Sequence, residues 1–306
     1  MSRRSPRVVV RIAGGLGNQL FMYAAGSRLA TVHDVPLLLD VRSGFRGDPY
    51  RRTFTLAELP IRAEVAGAWT SYDEPLTGRP RELAQLARRR AHLGPRSWVV
   101  DDAYRCEPAL LDLPVDRDRY LRGYFQSERY FADVADEVRA DLHPTGPLSD
   151  ESQATAALIE AAGDRAVSVH ARLLYELPQI DDRAALPDVA EVDPPKLGTY
   201  YDRAAAAVAS EVGDPHFFLF GDHPEAMASQ LDLPGRTTVV AHNSHAKATE
   251  DLALMARCAH HIICASTFGW WGAWLAEHPG QHVIAPDRGY PNRDMIPARW
   301  RRLPVD

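Results

Sequence analysis

Residues 260–277 read HHIICASTFGWWGAWLAE, and this stretch decides the fold. Ile262, Ile263, Cys264 and Ala265 form a short apolar run of the kind a buried parallel strand needs. Ser266 and Thr267 follow, then Gly269, and then a run that reads as helix from about Trp270 to Glu277. A strand, a Ser/Thr/Gly turn and a helix bring hydroxyls and free backbone N–H groups together where the helix dipole is positive. That arrangement suits an anion. An ordinary strand–helix joint, with Ser266 or Thr267 capping the helix, is the alternative the spacing alone leaves open.

The chain upstream repeats the same alternation. Val8 to Ala13 reads as a first strand, Gly14-Gly15-Leu16-Gly17-Asn18-Gln19 as a glycine-rich turn, and QLFMYAAGSRLATVH as a helix, with Pro36–Asp40 as a second strand. A glycine-rich turn between the first strand and a helix lets a ligand approach the backbone. GGLGNQ lacks the third glycine of the dinucleotide fingerprint, and Asp40 alone is weak support for it, which disfavours a nicotinamide oxidoreductase. Asn18 and Gln19 place two amides at the helix mouth, able to bind a polar ligand or merely to cap. Residues 43–80 look loop-like, with a short TFTLAEL element, and Arg81–Arg90 reads as a basic helix with a solvated face.

Strands are expected at Trp98–Val100 and Tyr120–Phe125, then a helix in DVADEVRADL that His143-Pro144 ends. Thr145–Asp150 reads as a linker, giving domains 1–147 and 148–306. In the second half, Ala166–Arg172 is a strand whose end carries His170 and Arg172, a grip suited to a diphosphate. A surface salt bridge for Arg172 and a core role for His170 are the alternatives. Residues 175–198 have little periodicity and read as a mobile loop. Helix Tyr200–Glu211, strand His216–Phe220 ending at Gly221-Asp222, strand Thr237–Val240, helix Glu250–Arg257 and strand Val283–Pro286 complete the pattern before an irregular tail with Trp300. The expected fold class is α/β, two Rossmann-like βαβ halves facing a central cleft.

With 306 residues, 45% hydrophobic and 25% charged, the composition is that of a globular protein with room for two cores. The net charge of −6 argues against a nucleic-acid or anionic-membrane partner. No run of about 18 apolar residues is present, so no membrane span is expected, and the start of the chain lacks a signal-peptide core; a cytoplasmic location follows as the expectation. Cys106, Cys258 and Cys264 have no paired spacing and read as free thiols in a reducing compartment. The scattered histidines show no metal pattern.

Several stretches together resemble the α-1,2-fucosyltransferases of bacteria and animals: GGLGNQLFMYAAG at 14–26, GYFQSERYF at 123–131, YYDRA at 200–204, FFLFGD at 217–222, and EDLALMARCAHHIICASTFGWWGAWLAE at 250–277. The resemblance runs from about Val8 to Pro286. It implies a GT-B fold and metal-independent, inverting transfer of a sugar, by default L-fucose from GDP-fucose, to an acceptor hydroxyl. The nucleotide sugar would be a co-substrate, no cofactor being implied, and a small molecule or glycan the acceptor. By the same resemblance Arg172 meets the β-phosphate and His170 lies near the nucleoside. Asp222 meets the base, Ser266, Thr267 and Phe268 form the diphosphate turn, and Gly15, Gly17 and Asn18 lie beside the donor sugar.

One departure stands out. The family writes His-x-Arg-Arg-x-Asp where this chain has His170-Ala171-Arg172-Leu173-Leu174-Tyr175-Glu176. Losing a guanidinium beside a diphosphate removes a charge-assisted contact worth about 1.5–3 kcal/mol. A different nucleotide sugar (another hexose or a heptose), an amine acceptor in natural-product assembly, or a non-catalytic nucleotide-sugar binder are the alternatives this opens. Glu176 is the candidate general base.

Overall fold

A computed structural model describes residues 5–46, 48, 52–67, 98–101, 105–173, 197–243 and 247–305. The expected basic helix at 81–90, the loop at 175–196 and Glu176 lie outside the described residues. The chain divides into two units. One comprises Met1–Leu142 with Pro291–Pro297, the other His143–Tyr290 with Ala298–Asp306.

The first unit is built on β1 (Val8–Arg11), whose three valines are fully buried. It pairs in parallel with β2 (Leu37–Asp40) and with β5 (Arg119–Arg122). With β3 (Glu64–Val65) and β4 (Trp98–Val100) these strands form a five-stranded sheet of order β3-β2-β1-β5-β4. Helix α1 (Leu16–Val32) buries residues around most of its circumference, as expected for a helix enclosed by its own unit. The TFTLAEL segment contributes a 3-10 turn at Leu56–Glu58, and α2 (Ala135–Leu142) closes the unit. Tyr23 of α1 donates to Asp141 of α2 at 2.8 Å, and Arg62 reaches the other carboxylate oxygen at 2.7 Å. Asp40 is spent on local structure. It accepts from Tyr120 at 2.7 Å, from the Ser43 hydroxyl at 2.9 Å and from the backbone N–H groups of Arg42 and Ser43. This leaves it no resemblance to a ribose-binding acid.

The second unit contains a six-stranded, fully parallel sheet of order β11-β10-β9-β6-β7-β8. Its strands are β6 (Ala166–Ala171), β7 (His216–Gly221), β8 (Arg236–Val239), β9 (His260–Ile263), β10 (Val283–Pro286) and β11 (Arg301–Leu303). The tail expected to be irregular therefore supplies an edge strand, paired to β10 through Ile284–Arg301 and its neighbours. Its charged sequence hides this, because an edge strand needs no second apolar face. Helices α3 (Asp150–Ala162), α4 (Tyr200–Val212), α5 (Pro224–Ala228), α6 (Ala248–Met255) and α7 (Thr267–Leu275) connect the strands.

Both faces of this sheet are covered. Phe217 and Leu219 of β7 pack with α4 residues such as Ala204 and Val208, whereas Phe218 and Phe220 pack with Ile159 of α3 and Leu254 of α6. A strand apolar on both faces loses alternation and reads as a continuous hydrophobic run, as FFLF does. Helix α7 begins at Thr267, three residues before the expected start. Ser266 caps it by accepting from Phe268 N–H at 3.3 Å, which lets Gly269 sit inside the first turn. Trp270, Trp271 and Trp274 are fully buried, and Trp270 packs on Trp300 with ring centroids 5.4 Å apart.

Leu173, two residues past β6, is 1% exposed and belongs to the apolar cluster of Ala171, Tyr201 and Met227. Its side chain is thus a core side chain, and the place of the family's second arginine is filled by hydrophobic packing. Placing a guanidinium there buries an unpaired charge, so Leu173→Arg is expected to lower unfolding stability by about 3–5 kcal/mol. Urea unfolding of the two proteins checks this; an equally stable variant would show that the side chain has a route to solvent.

Candidate functional site

The strand order of the second unit fixes where a ligand belongs. From β6 the chain steps outward through β7 to β8; from β9 it steps the opposite way to β10 and β11. The order reverses between β6 and β9, and ligands of doubly wound sheets bind beyond the carboxyl ends of the strands at such a reversal. His170 lies opposite Ile263 in the register, and Cys264 N–H donates to His170 C=O at 3.2 Å. Two strand ends are therefore locked side by side, one leading into His170-Ala171-Arg172, the other into Cys264-Ala265-Ser266.

Five of the sequence-derived candidates gather there beside Asp222. Arg172 follows β6 directly and is partly exposed. His170 is buried, its ring centroid 5.6 Å from that of Phe268. Gly269 makes room for this ring, since a Cβ at that position would stand 2.7 Å from His170 Nδ1. Ser266 is buried and occupied with capping, while Thr267 and Phe268 at the helix mouth are partly exposed. Helix α7 turns its first-turn amides toward this end of the sheet, where the backbone groups of a helix lack partners within the helix. Asp222, after β7, accepts from Leu173 N–H at 2.8 Å and so holds the turn that carries Arg172.

The electrostatics of this group are shaped by burial. Desolvation, with the Arg172 charge adding to it and Asp222 opposing, pushes His170 down to about 3. His170 is therefore a neutral imidazole at physiological pH, and Arg172 is the cation of the cluster. Burial likewise pushes the Cys264 thiol up to about 12.

Gly15, Gly17 and Asn18 belong to the other unit, at the reversal between β1 and β5. Gly14, at φ +74°, makes the left-handed turn out of β1, and Gly15 is the N-cap residue of α1. Asn18 is partly exposed and its side-chain oxygen accepts from Gln126 Nε2 at 2.9 Å, so the GGLGNQ and GYFQSERYF segments meet here. Gly17 is buried within the first turn of α1. Gln19 is unavailable to a ligand: its amide donates to Gly14 C=O at 2.9 Å and to Thr53 C=O at 2.8 Å, and it accepts from Thr55 N–H at 3.0 Å.

Sequence reasoning missed one acid. Asp251, in the first turn of α6, is mostly buried, and its one recorded hydrogen-bond donor among the described residues is Asn243 Nδ2 at 2.8 Å. No cation neutralises it among those residues. Burial first, and the Glu250 charge with it, hold its carboxyl up at about 6 against the pull of the Asn243 bond. Neighbouring Ser152 bonds His242 at 2.9 Å and Asn243 at 3.2 Å, and Glu250 binds the Ser149 hydroxyl at 2.6 Å. In the sequence Glu250-Asp251 looks like the ordinary acidic first turn of a helix, which conceals that the two carboxylates have opposite environments.

Among the described residues no three His, Cys, Asp or Glu side chains are grouped to hold a metal ion, and no helix is long and apolar enough to cross a membrane.

Residues 198–294 match the model of glycosyl transferase family 11. The chain is 24% identical to an alpha-1,2-colitosyltransferase of Escherichia coli over 97% of its own length and 98% of that protein's. It is 21% identical to the O-antigen biosynthesis glycosyltransferase WbnK of the same organism, covering 91% and 93% of the two chains. Among solved structures, the NodZ alpha-1,6-fucosyltransferase soaked with GDP-fucose superposes with a TM-score of 0.50 at 18% identity, over 89% of this chain and 93% of that one. The two parallel-sheet units thus have the GT-B type of fold, the chain is a glycosyltransferase, and its likeness to family 11 is carried mainly by the second unit.

Proposed function

We propose that the chain transfers a sugar from a nucleotide diphosphate to an acceptor hydroxyl by a single inverting displacement, without a divalent metal. The observation that carries this reading is the meeting of Arg172, neutral His170 and the N-terminus of α7 at the β6–β9 reversal. As the bond from the sugar to the diphosphate breaks, negative charge grows on the departing β-phosphate. A guanidinium and the first-turn amides of α7, gathered at that end of the sheet, stabilise this charge. The partly exposed Thr267 adds a hydroxyl donor at the same mouth.

Fucose remains the default sugar by resemblance, and the name of one relative adds colitose as a second candidate. The acceptor must lose a proton on attack, and Glu176 is retained as the candidate base. For the nucleobase we assign Asp251. Among the described residues this desolvated carboxylate has one amide donor and no cation, so it suits the N–H edge of a base such as guanine, and burial makes that hydrogen bond strong. Asp222 is already engaged by Leu173 N–H, which makes it the weaker candidate for the base.

A thermal-shift panel of nucleoside diphosphates and nucleotide sugars tests the class, since a ligand that binds the native state raises the unfolding midpoint. Binding with neither donor hydrolysis nor transfer would identify a non-catalytic binder. For the active enzyme, Arg172→Ala is expected to cut kcat by roughly 100-fold or more with the fold intact by circular dichroism; near-normal turnover would remove Arg172 from the mechanism. Transfer is expected to persist in excess EDTA, and loss of activity restored by a divalent ion would refute metal independence. Asp251→Asn should raise the donor KM by roughly 10–100-fold, the equivalent of one charge-assisted hydrogen bond. The ligand-free variant should be at least as stable as the parent, because a buried carboxylate with no cation beside it among the described residues has been neutralised. An unchanged KM would move base recognition elsewhere.

A further inference from the structure

One sulfur atom joins three of the sequence blocks. Cys264 Sγ lies 3.3 Å from His170 Nδ1 and is hydrogen-bonded to the phenol of Tyr201, the second tyrosine of the YYDRA block. The other acceptor recorded for that phenol, His170 C=O, is at 3.5 Å, the long limit for an O–H donor. The ring itself is confined by Phe268 on one side and by Gly269, whose missing Cβ leaves room for Nδ1.

The protonation states settle the direction of these bonds. Burial keeps Tyr201 protonated, raising it well above the ordinary phenol value, and keeps the Cys264 thiol protonated at about 12. His170 is neutral, so one ring nitrogen carries a proton and the other a lone pair. An imidazole lone pair is a far better acceptor than a thiol sulfur. The favourable arrangement therefore runs Tyr201 O–H to Sγ, then S–H to Nδ1, leaving the proton on Nε2, which has no recorded partner among the described residues.

We propose that Cys264 is a positioning residue: it locks His170 in the Nε2–H tautomer, so that the imidazole presents a neutral hydrogen-bond donor to an acceptor atom of the bound nucleotide. The tautomer lock stands on the geometry of the second unit alone; its ligand rests on the donor-binding reading above. Such a donor stays neutral through the physiological range, whereas a histidine of ordinary pKa becomes a charged imidazolium as pH falls.

The test uses full-length protein labelled with 15N-histidine, without ligand, near neutral pH. A long-range 1H–15N correlation, assigned with His170→Gln, should show the Nε2–H pattern for His170 in the parent and in Cys264→Ser, whose hydroxyl also donates. Cys264→Ala should show a mixture of tautomers, with the donor KM raised roughly five- to tenfold and kcat nearly unchanged, about the effect of weakening one neutral hydrogen bond. The serine variant should restore the KM. An Nδ1–H pattern in the parent, or an alanine variant with the parent's tautomer and KM, would overturn the lock. The expected tautomers in a protein whose midpoint no nucleotide raises would overturn the assigned ligand while the lock stands.

Discussion

The parallel pairing of β6 with β9 is the constraint on which the rest of the second unit depends. These strands are far apart in sequence and are joined only after the chain has built β7, β8 and, among the described residues, the three helices α4, α5 and α6. Their pairing through Val167–His260 to His170–Ile263, continued by the Cys264–His170 bond, sets the reversal of strand order. Every candidate residue of this unit is placed relative to that seam. The strand interiors are apolar on both faces because helices cover both, so the polar chemistry is confined to the carboxyl ends, where the sheet stops and the helix mouths begin.

Burial then assigns roles that residue types alone do not. Two carboxylates adjacent in sequence diverge: Glu250 binds the Ser149 hydroxyl and N–H, while Asp251 is held by one amide and kept near pH 6 by desolvation. His170 sits next to a guanidinium and is too deeply enclosed to charge. The cluster therefore sets one cation, Arg172, among neutral donors, with Asp222 beside it holding the turn, an arrangement suited to a diphosphate that must be held and then released. The second arginine of the related motif has no place in it, since Leu173 turns into the core and its N–H is used by Asp222.

The alternation of strand and helix was legible because nearly every element carries its own periodic or continuous apolar signal: VVVR, LLLD, AVSVHA and HFFLFG all emerge as buried or mostly buried strands within a residue or two of expectation. Boundaries shifted where a cap decided them, as at Ser266. The edge strand Arg301–Leu303 and the return of Pro291–Pro297 to the first unit were illegible. In that return Asp294 accepts from Cys106 N–H at 3.0 Å and the Ser127 hydroxyl donates to its carbonyl at 3.0 Å, pairings 188 and 167 residues apart for which local sequence has no signal.

The candidate site divides in the same way. Sequence by itself determined the residue types at the strand ends, the glycine-rich and Ser/Thr turns, and the absence of a dinucleotide fingerprint, because these depend on local backbone freedom and on what a short segment can present. Only the tertiary structure decided which groups are available: Gln19 and Asp40 are consumed by their own loops, Asp222 supports a turn, and Asp251 has one donor among the described residues. The physical reason is that availability and charge state follow from desolvation and from hydrogen-bond partners brought by distant segments, and neither is a property of a residue in its local sequence.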